Sequence, residues 1–257
     1  MTILSLKEIG FTINGYNLID QITFDVEPGQ ITAVVGPNGA GKSTVLRTIS
    51  GECSGATGSI EFCGKDMARW SSNEKARRMA VLPQFSSLSF PFTVREVVAM
   101  GRFPHSSGRK EDESIVKSAM AALDITHLRN RLYTRLSGGE KQRTQLARVM
   151  AQIWNPSDDM DRLLLLDEPT AFLDLGHQQQ LMQAIRDFSR QGVAVLMVLH
   201  DINLATRHAH KVVALQQGRV VANGDSHTVV TEGLIQRLFG TELQVINHPV
   251  SGQPLIF

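Results

Sequence analysis

The chain has 257 residues and a formal net charge of +1. With 42% hydrophobic and 20% charged residues it has the composition of a globular protein with a full core, which excludes a mainly disordered chain. The near-neutral charge argues against a broad electrostatic footprint for nucleic acid. The longest aliphatic run, Val193 to Leu199, is seven residues, far short of the roughly 20 that a membrane-spanning helix needs. Cys53 and Cys63, the two cysteines, are too few for a disulfide framework and are expected to be reduced. The first eight residues lack a basic start, an apolar stretch and a small-residue cleavage site, so no secretion signal is expected.

Two β-like runs, Ile3 to Ile13 and Ile22 to Val26, flank the turn-forming Asn14-Gly15-Tyr16-Asn17. The β-branched run Ile31 to Val35 is closed by Gly36, and Val45, Leu46 and Ile49 then share one side of a helix ending near Ser50. From about Thr93 to Arg131 the pattern turns helical, through Val94, Val97 and Val98 and later Ile115, Ala119, Ala122 and Leu123; this reads as a helical insert within an α/β core. A helix from Glu140 to about Gln152 precedes the strand Leu163 to Leu166. Gln178 to Arg190 reads as a helix, Val193 to Leu199 as a strand, and Lys211 to Asn223 as a hairpin turning at Gln217-Gly218-Arg219. Strands apolar on both faces alternating with helices predict a buried parallel sheet.

The stretch Gly36-Pro37-Asn38-Gly39-Ala40-Gly41-Lys42-Ser43-Thr44 fits the pattern of Gly, four residues, Gly-Lys-Ser, between a strand and a helix. Glycines let successive backbone N–H groups turn inward around a phosphate, and the following helix adds its positive end. Lys42 is placed to put a charge between β- and γ-phosphates, and the Ser43 hydroxyl to ligate Mg²⁺. The run Leu163 to Leu166 ends in Asp167-Glu168, carboxylates at the strand edge where open α/β sheets bind ligands. Asp167 suits Mg²⁺ and Glu168 a proton accepted from attacking water.

Three further elements stand in a telling order: Gln84 after the β-like Ala80 to Pro83, Leu136-Ser137-Gly138-Gly139-Glu140 opening a helix that Ser137 can cap, and His200 at the end of a strand. Together with the phosphate loop they resemble the nucleotide-binding subunit of ABC transporters, from about Ile3 to Leu238. The resemblance implies an α/β P-loop NTPase cassette, a single domain over 1–257. Its parts are an N-terminal antiparallel β subdomain, a RecA-like parallel-sheet core, a helical subdomain near 93–150 and a tail near 240–257. It further implies that Gly36 to Thr44 is Walker A, Gln84 the Q-loop and a metal-site residue with Ser43 and Asp167, and Ser137 to Glu140 the signature. Asp167 is then Walker B, Glu168 the catalytic base, Asp174 the D-loop aspartate and His200 the switch histidine. Tyr16, 26 positions before Lys42, matches the aromatic that stacks on adenine, with Phe11 as the competing ring. The family's ATP, with Mg²⁺, lies between two head-to-tail copies, so a homodimer is implied, each copy lending its signature amides to the other.

Two departures are visible. The family's Ser-Ala-Leu-Asp is Ala171-Phe172-Leu173-Asp174 here, and the link Ile153 to Arg162 before Walker B is long. The absence of a span implies a separate integral-membrane permease and, in the full complex, a periplasmic binding protein, with this subunit peripheral on the cytoplasmic face of the bacterial inner membrane. The stretch from Gln84 to His105 is similar to the importers of iron-siderophore, haem and cobalamin. The pre-Walker B loop, Asp174 to Gln178 and Gly252-Gln253-Pro254 favour the haem branch. Phe85, Leu88, Phe90 and Phe92 are expected to line the groove receiving a permease helix. Seven histidines, His105, His127, His177, His208, His210, His227 and His248, read as surface or packing residues rather than haem ligands. A DNA-repair or chromosome ABC ATPase would separate Lys42 from Ser137 by long coiled coils, whereas they stand 95 positions apart. An ABC subunit of iron–sulfur assembly remains the rival without a permease.

Overall fold

The computed structural model describes residues 2–84, 88–154 and 160–257. In chain order the elements begin with β1 (Leu4–Ile13), β2 (Tyr16–Val26), β3 (Ile31–Val35), α1 (Lys42–Ser50), β4 (Thr57–Phe62) and β5 (Lys65–Asp66). They continue with α2 (Ser72–Arg78), β6 (Met79–Leu82), α3 (Val94–Ala99), α4 (Arg109–Ala122), α5 (Gly138–Gln152), β7 (Arg162–Asp167) and α6 (Leu175–Ser189). Last come β8 (Val193–Val198), α7 (Ile202–His208), β9 (Lys211–Gln216), β10 (Arg219–Asp225), α8 (Ser226–Val229), α9 (Glu232–Phe239), β11 (Val245–Asn247) and β12 (Pro254–Ile256). Two compact units result, Met1–Arg69 with Ala194–Phe257 and Trp70–Val193.

In the first unit β1 and β2 form an antiparallel hairpin turning on Asn14-Gly15 alone, both at positive φ (50° and 79°), the backbone that a tight two-residue turn requires. Tyr16 and Asn17, expected in the turn, therefore open β2. The strand also starts six residues ahead of the expected Ile22. Gln21 bulges at φ 51° and the pairing shifts between Ile9 and Phe11, which breaks the two-residue alternation that marks a strand in sequence. Strand β4 joins β1, and β5 joins β4, in the same antiparallel sheet; neither was expected. In the second sheet portion β3 runs parallel to β8 (Ile31 opposite Val195) and to β9 (Thr32 opposite Lys211), with β10 antiparallel to β9. Every residue of β3 and β8 is buried, as their unbroken apolar runs predict.

In the second unit β6 and β7 pair in parallel, Leu82 opposite Leu166. The expected helical insert resolves into α3 and α4. Thr93 and Glu96 close a capping box on α3, and Val94, Val97 and Val98 are buried beneath it, as are Ile115 and Ala119 on α4. Ala122, expected on the buried stripe, is exposed, because α4 ends there and Leu123 turns inward in its place. Helix α5 starts at Gly138, two residues before the expected Glu140. The long link before β7 includes 155–159, which lie outside the described residues; its flanks are tied by Trp154 stacked near Phe188 (5.2 Å) and by Arg162 donating to the Ile153 carbonyl.

Arg102 is the charged anchor of this unit. It is buried, donating to Asp112 (2.8 Å), the Ala151 carbonyl (2.8 Å) and Ser107 Oγ (3.0 Å). Removing Arg102 leaves the half-buried Asp112 carboxylate and the buried Ala151 carbonyl without their donor. Arg102→Ala is expected to cost about 3 kcal/mol, read as a lowered urea midpoint at unchanged slope.

Candidate nucleotide site

In the first unit two glycines of the loop after β3 lie so close to neighbouring backbone that a side chain would not fit. Gly36 has φ 148°, and a Cβ there would stand 2.1 Å from the Leu215 carbonyl oxygen. Gly41, at φ 96°, passes so close to β2 that a Cβ would meet the Leu18 carbonyl at 2.8 Å. The β9–β10 turn closes the cradle: Gly218 N–H donates to the Ala40 carbonyl (3.0 Å), and its own carbonyl accepts from Asp20 N–H (2.8 Å). Lys42 opens α1, only 6% exposed, its ammonium donating to the Gly36 and Pro37 carbonyls (2.8 and 2.9 Å). Ser43 and Thr44 follow in the first helical turn, partly exposed, and Asn38 and Gly39 stand open at the loop tip. The result is a cationic, amide-lined cradle at a helix start, which suits a polyphosphate.

In the same unit the two rings near the hairpin differ in exposure. Phe11 is packed inward, 9% exposed, whereas Tyr16 is 77% exposed at the start of the strand that runs beside the loop. His200 lies exposed two residues past β8, just before Asp201 caps α7 through the Leu204 N–H.

In the second unit Gln84 and Asp167 leave the same ends of paired parallel strands, β6 and β7. Asp167 is 5% exposed. Glu168, partly exposed, takes φ 51°, a left-handed turn that costs a non-glycine residue about 1 kcal/mol and swings the chain out of the strand ahead of Pro169. A carboxylate and an amide oxygen are hard-oxygen donors of the kind that suit Mg²⁺.

The signature segment is folded as its residue types dictate. Ser137 caps α5: its Oγ accepts from Glu140 N–H (3.3 Å) while the Glu140 carboxylate accepts from Ser137 N–H (2.8 Å). That backbone bond is the main reason the Glu140 carboxyl is held below its ordinary range, with the Ser137 hydroxyl and Arg131 helping. Gly138 and Gly139 lie under the next loop; a Cβ on Gly139 would stand 2.9 Å from Leu173 Cδ2. Asp174 caps α6, accepting from His177 N–H (2.8 Å) and pairing with its ring at 2.9 Å. Those contacts, the backbone one first, lower the Asp174 pKa. Ser137, Gly138, Glu140, Phe172, Asp174 and His177 border an open cleft of about 560 Å³. Sequence reasoning marked Phe172 as a departure from the family pattern but missed its exposure at φ 65° and that of Leu175, which opens α6. Leu88 and Phe92 are half-buried and Phe90 is exposed, while Phe85 lies outside the described residues.

Residues 19–171 match the ABC transporter family. The chain belongs to the ABC transporter family. Over 255 residues it is 48% identical to the Hemin import ATP-binding protein HmuV of Gloeobacter violaceus, covering 98% of this chain and 93% of that protein. It is 50% identical to the Myxococcus xanthus protein of the same name over 90% and 87% of the two chains. Among solved structures, an ABC transporter in an inward-facing conformation superposes with a TM-score of 0.82 at 27% identity, covering 100% of this chain and 96% of that one. A dimeric ATP-binding cassette bound to ADP and phosphate shares the fold, with a TM-score of 0.76 at 22% identity over 86% and 98% of the chains. The fold is thus the P-loop NTPase cassette, with an antiparallel β portion, parallel strands and a helical part. The chain is an ATP-binding and ATP-hydrolysing transporter subunit. Among the described residues no helix is long and apolar enough to cross a membrane.

Two tests bear on this geometry. Gly36→Ala forces a Cβ into the Leu215 carbonyl, so its affinity for a fluorescent ATP analogue is expected to fall at least about tenfold, as a misplaced phosphate cradle implies. The Glu140 cap adds stability that is full above the unfolded carboxylate pKa of about 4.3 and is lost as pH falls through its lowered folded value. Urea midpoints of the parent and Glu140→Gln are therefore expected to differ at pH 7 and converge below about pH 4.

Proposed function

We propose that the chain, as one cassette over 1–257, is the motor of a haem importer, working as a head-to-tail homodimer on a separate membrane permease. The carrying observation is the phosphate cradle at Gly36 to Lys42 within a chain that matches hemin import ATP-binding proteins over nearly its whole length. The ATP phosphates sit against the amides from Gly36 to Thr44 and Lys42, and Tyr16 stacks on the adenine, a role its exposed ring supports. Ser43, Gln84 and Asp167 would hold Mg²⁺, which supplies charge neutralisation to the β- and γ-phosphates. Glu168 accepts the proton of a water that attacks the γ-phosphorus. The bond to the β–γ bridging oxygen then breaks, giving ADP and phosphate, with His200 holding the γ-phosphate and the attacking water in place.

Ser137, Gly138, Gly139 and Glu140 offer their helix start to the nucleotide of the partner copy. The open cleft around them, with Phe172 and Leu175 exposed at its edge, supports a surface meant to be covered, and the Asp174 loop belongs to the same contact. In this reading the subunit works at the cytoplasmic face of the inner membrane, with a periplasmic binding protein delivering substrate on the other side. Phe90 and Phe92, 6.1 Å apart, support the reading of that segment as part of the permease groove.

Glu168→Gln is expected to keep ATP affinity, accumulate an ATP-bound dimer on gel filtration and lose at least about a hundredfold in turnover. Lys42→Ala is expected to lose ATP binding itself. Reconstituted with its permease and binding protein, the subunit should hydrolyse ATP faster with haem than with a ferric siderophore or cobalamin; stimulation by one of the latter two reassigns the substrate.

A further inference from the structure

The C-terminal tail is tied to α9, where Val245 N–H donates to the Glu232 carboxylate (3.2 Å), and to α7, which starts two residues after His200. Strands β11 and β12 form a short hairpin, Val245 opposite Ile256, closed at its open end by mutual bonds between the backbones of Gln244 and Phe257 (3.2 Å each). Its turn is organised by His248 Nδ1, which accepts from the N–H groups of Val250 and Ser251. The hairpin then grips α7 at both ends. At the first turn the Asn203 amide forms a two-pronged contact with one residue of β12: Nδ2 donates to the Ile256 carbonyl and Oδ1 accepts from the Ile256 N–H, each 2.8 Å. At the last turn Gln253 Nε2 donates to the Arg207 carbonyl (3.2 Å), and the neighbouring Pro254 is buried. A side-chain amide that satisfies both backbone groups of one residue holds a strand as a ladder partner does.

We infer that Asn203 is a positioning residue for the hydrolytic step, clamping the tail onto α7 so that His200 keeps its reach; this rests on the switch role proposed for His200. The segment bearing His200 is a three-residue bridge between β8 and α7. On one side β8 is fixed in the sheet, with Leu199 N–H donating to the Val34 carbonyl (3.1 Å). On the other side is α7, a helix of seven residues, too short to hold its shape or seat by helix propensity alone. Its N-terminus is capped by Asp201, and its place on the protein is fixed in part by the tail. A shift of about 1 Å in α7 moves the exposed imidazole by a similar amount, enough to cost a large factor in a step that depends on near-attack geometry. ATP affinity is set by the cradle at Gly36 to Lys42 and should not follow.

The test is a set of full-length variants assayed for ATP hydrolysis in the reconstituted transporter, each checked for an unchanged urea midpoint. Asn203→Ala is expected to lower kcat about five- to tenfold with KM for ATP within about twofold, and Asn203→Asp, which keeps the acceptor for the Ile256 N–H, to recover part of the loss. In a His200→Ala background Asn203→Ala should add no further loss. Should Asn203→Ala fold poorly, Ile256→Pro removes the tail's donor to Asn203 from the other side and is expected to give the same kcat loss. An unchanged kcat, a rise in KM, or an equal further loss in the His200→Ala background overturns the clamp. Full turnover by His200→Ala alone overturns instead the reading of His200 on which the clamp rests.

Discussion

The approach of Gly36 to the Leu215 carbonyl is the constraint on which the nucleotide cradle depends. Strands β3 and β9 are neighbours at a normal ladder spacing, so the residue that leaves β3 beside β9 has no room for a side chain. The turn that results aims the loop back over the helix start, where Lys42 is drawn onto the Gly36 and Pro37 carbonyls. Nothing in that chain of contacts involves a phosphate, yet it leaves amides and an ammonium at one point. An anion entering it takes over partners already in place, and little must reorganise when charge shifts in the transition state.

The signature cleft obeys a different constraint, the closeness of two loops. Gly139 has Leu173 at its back and Gly138 has Phe172, so the departure from the family's Ser-Ala-Leu-Asp changes size at a place where the glycines already admit bulk. Phe172 answers by taking a left-handed backbone and turning out to solvent. The Asp174 cap and the Ser137 cap, which fix the two helices bordering the cleft, are untouched by the change. The altered residues therefore bear on what covers the cleft more than on its shape.

What could be read in the sequence follows from how far each signal reaches along the chain. The glycine-rich loop, the cap at Ser137 and the buried strands β3, β7 and β8 are local patterns of residue type, and they stand within a residue or two of where they were expected. The extent of β2 was hidden because the Gln21 bulge spoils its alternation. Strands β4 and β5 are short and half-exposed, and β4 is completed by β1, more than forty residues away in sequence, with β5 added at its edge, so no local pattern announces them. The choice of Tyr16 over Phe11 needed burial, which is a property of the folded hairpin. The tail was marked only as a boundary, since the Asn203–Ile256 contact joins positions fifty-three apart.

The residues to which a chemical role is proposed share a placement. Gly36 follows β3, Gln84 follows β6, Asp167 closes β7 and His200 follows β8, each at the carboxyl end of a parallel strand. A buried parallel strand is identified by its apolar run, and the first polar residue beyond it stands where such sheets present ligand groups. Strand ends also carry rigidity from the ladder, so a polar group there is aimed with little entropy left to lose. His200 is followed by the short helix α7, and it is to that helix that the hairpin of the C-terminal end is attached through Asn203 and Gln253.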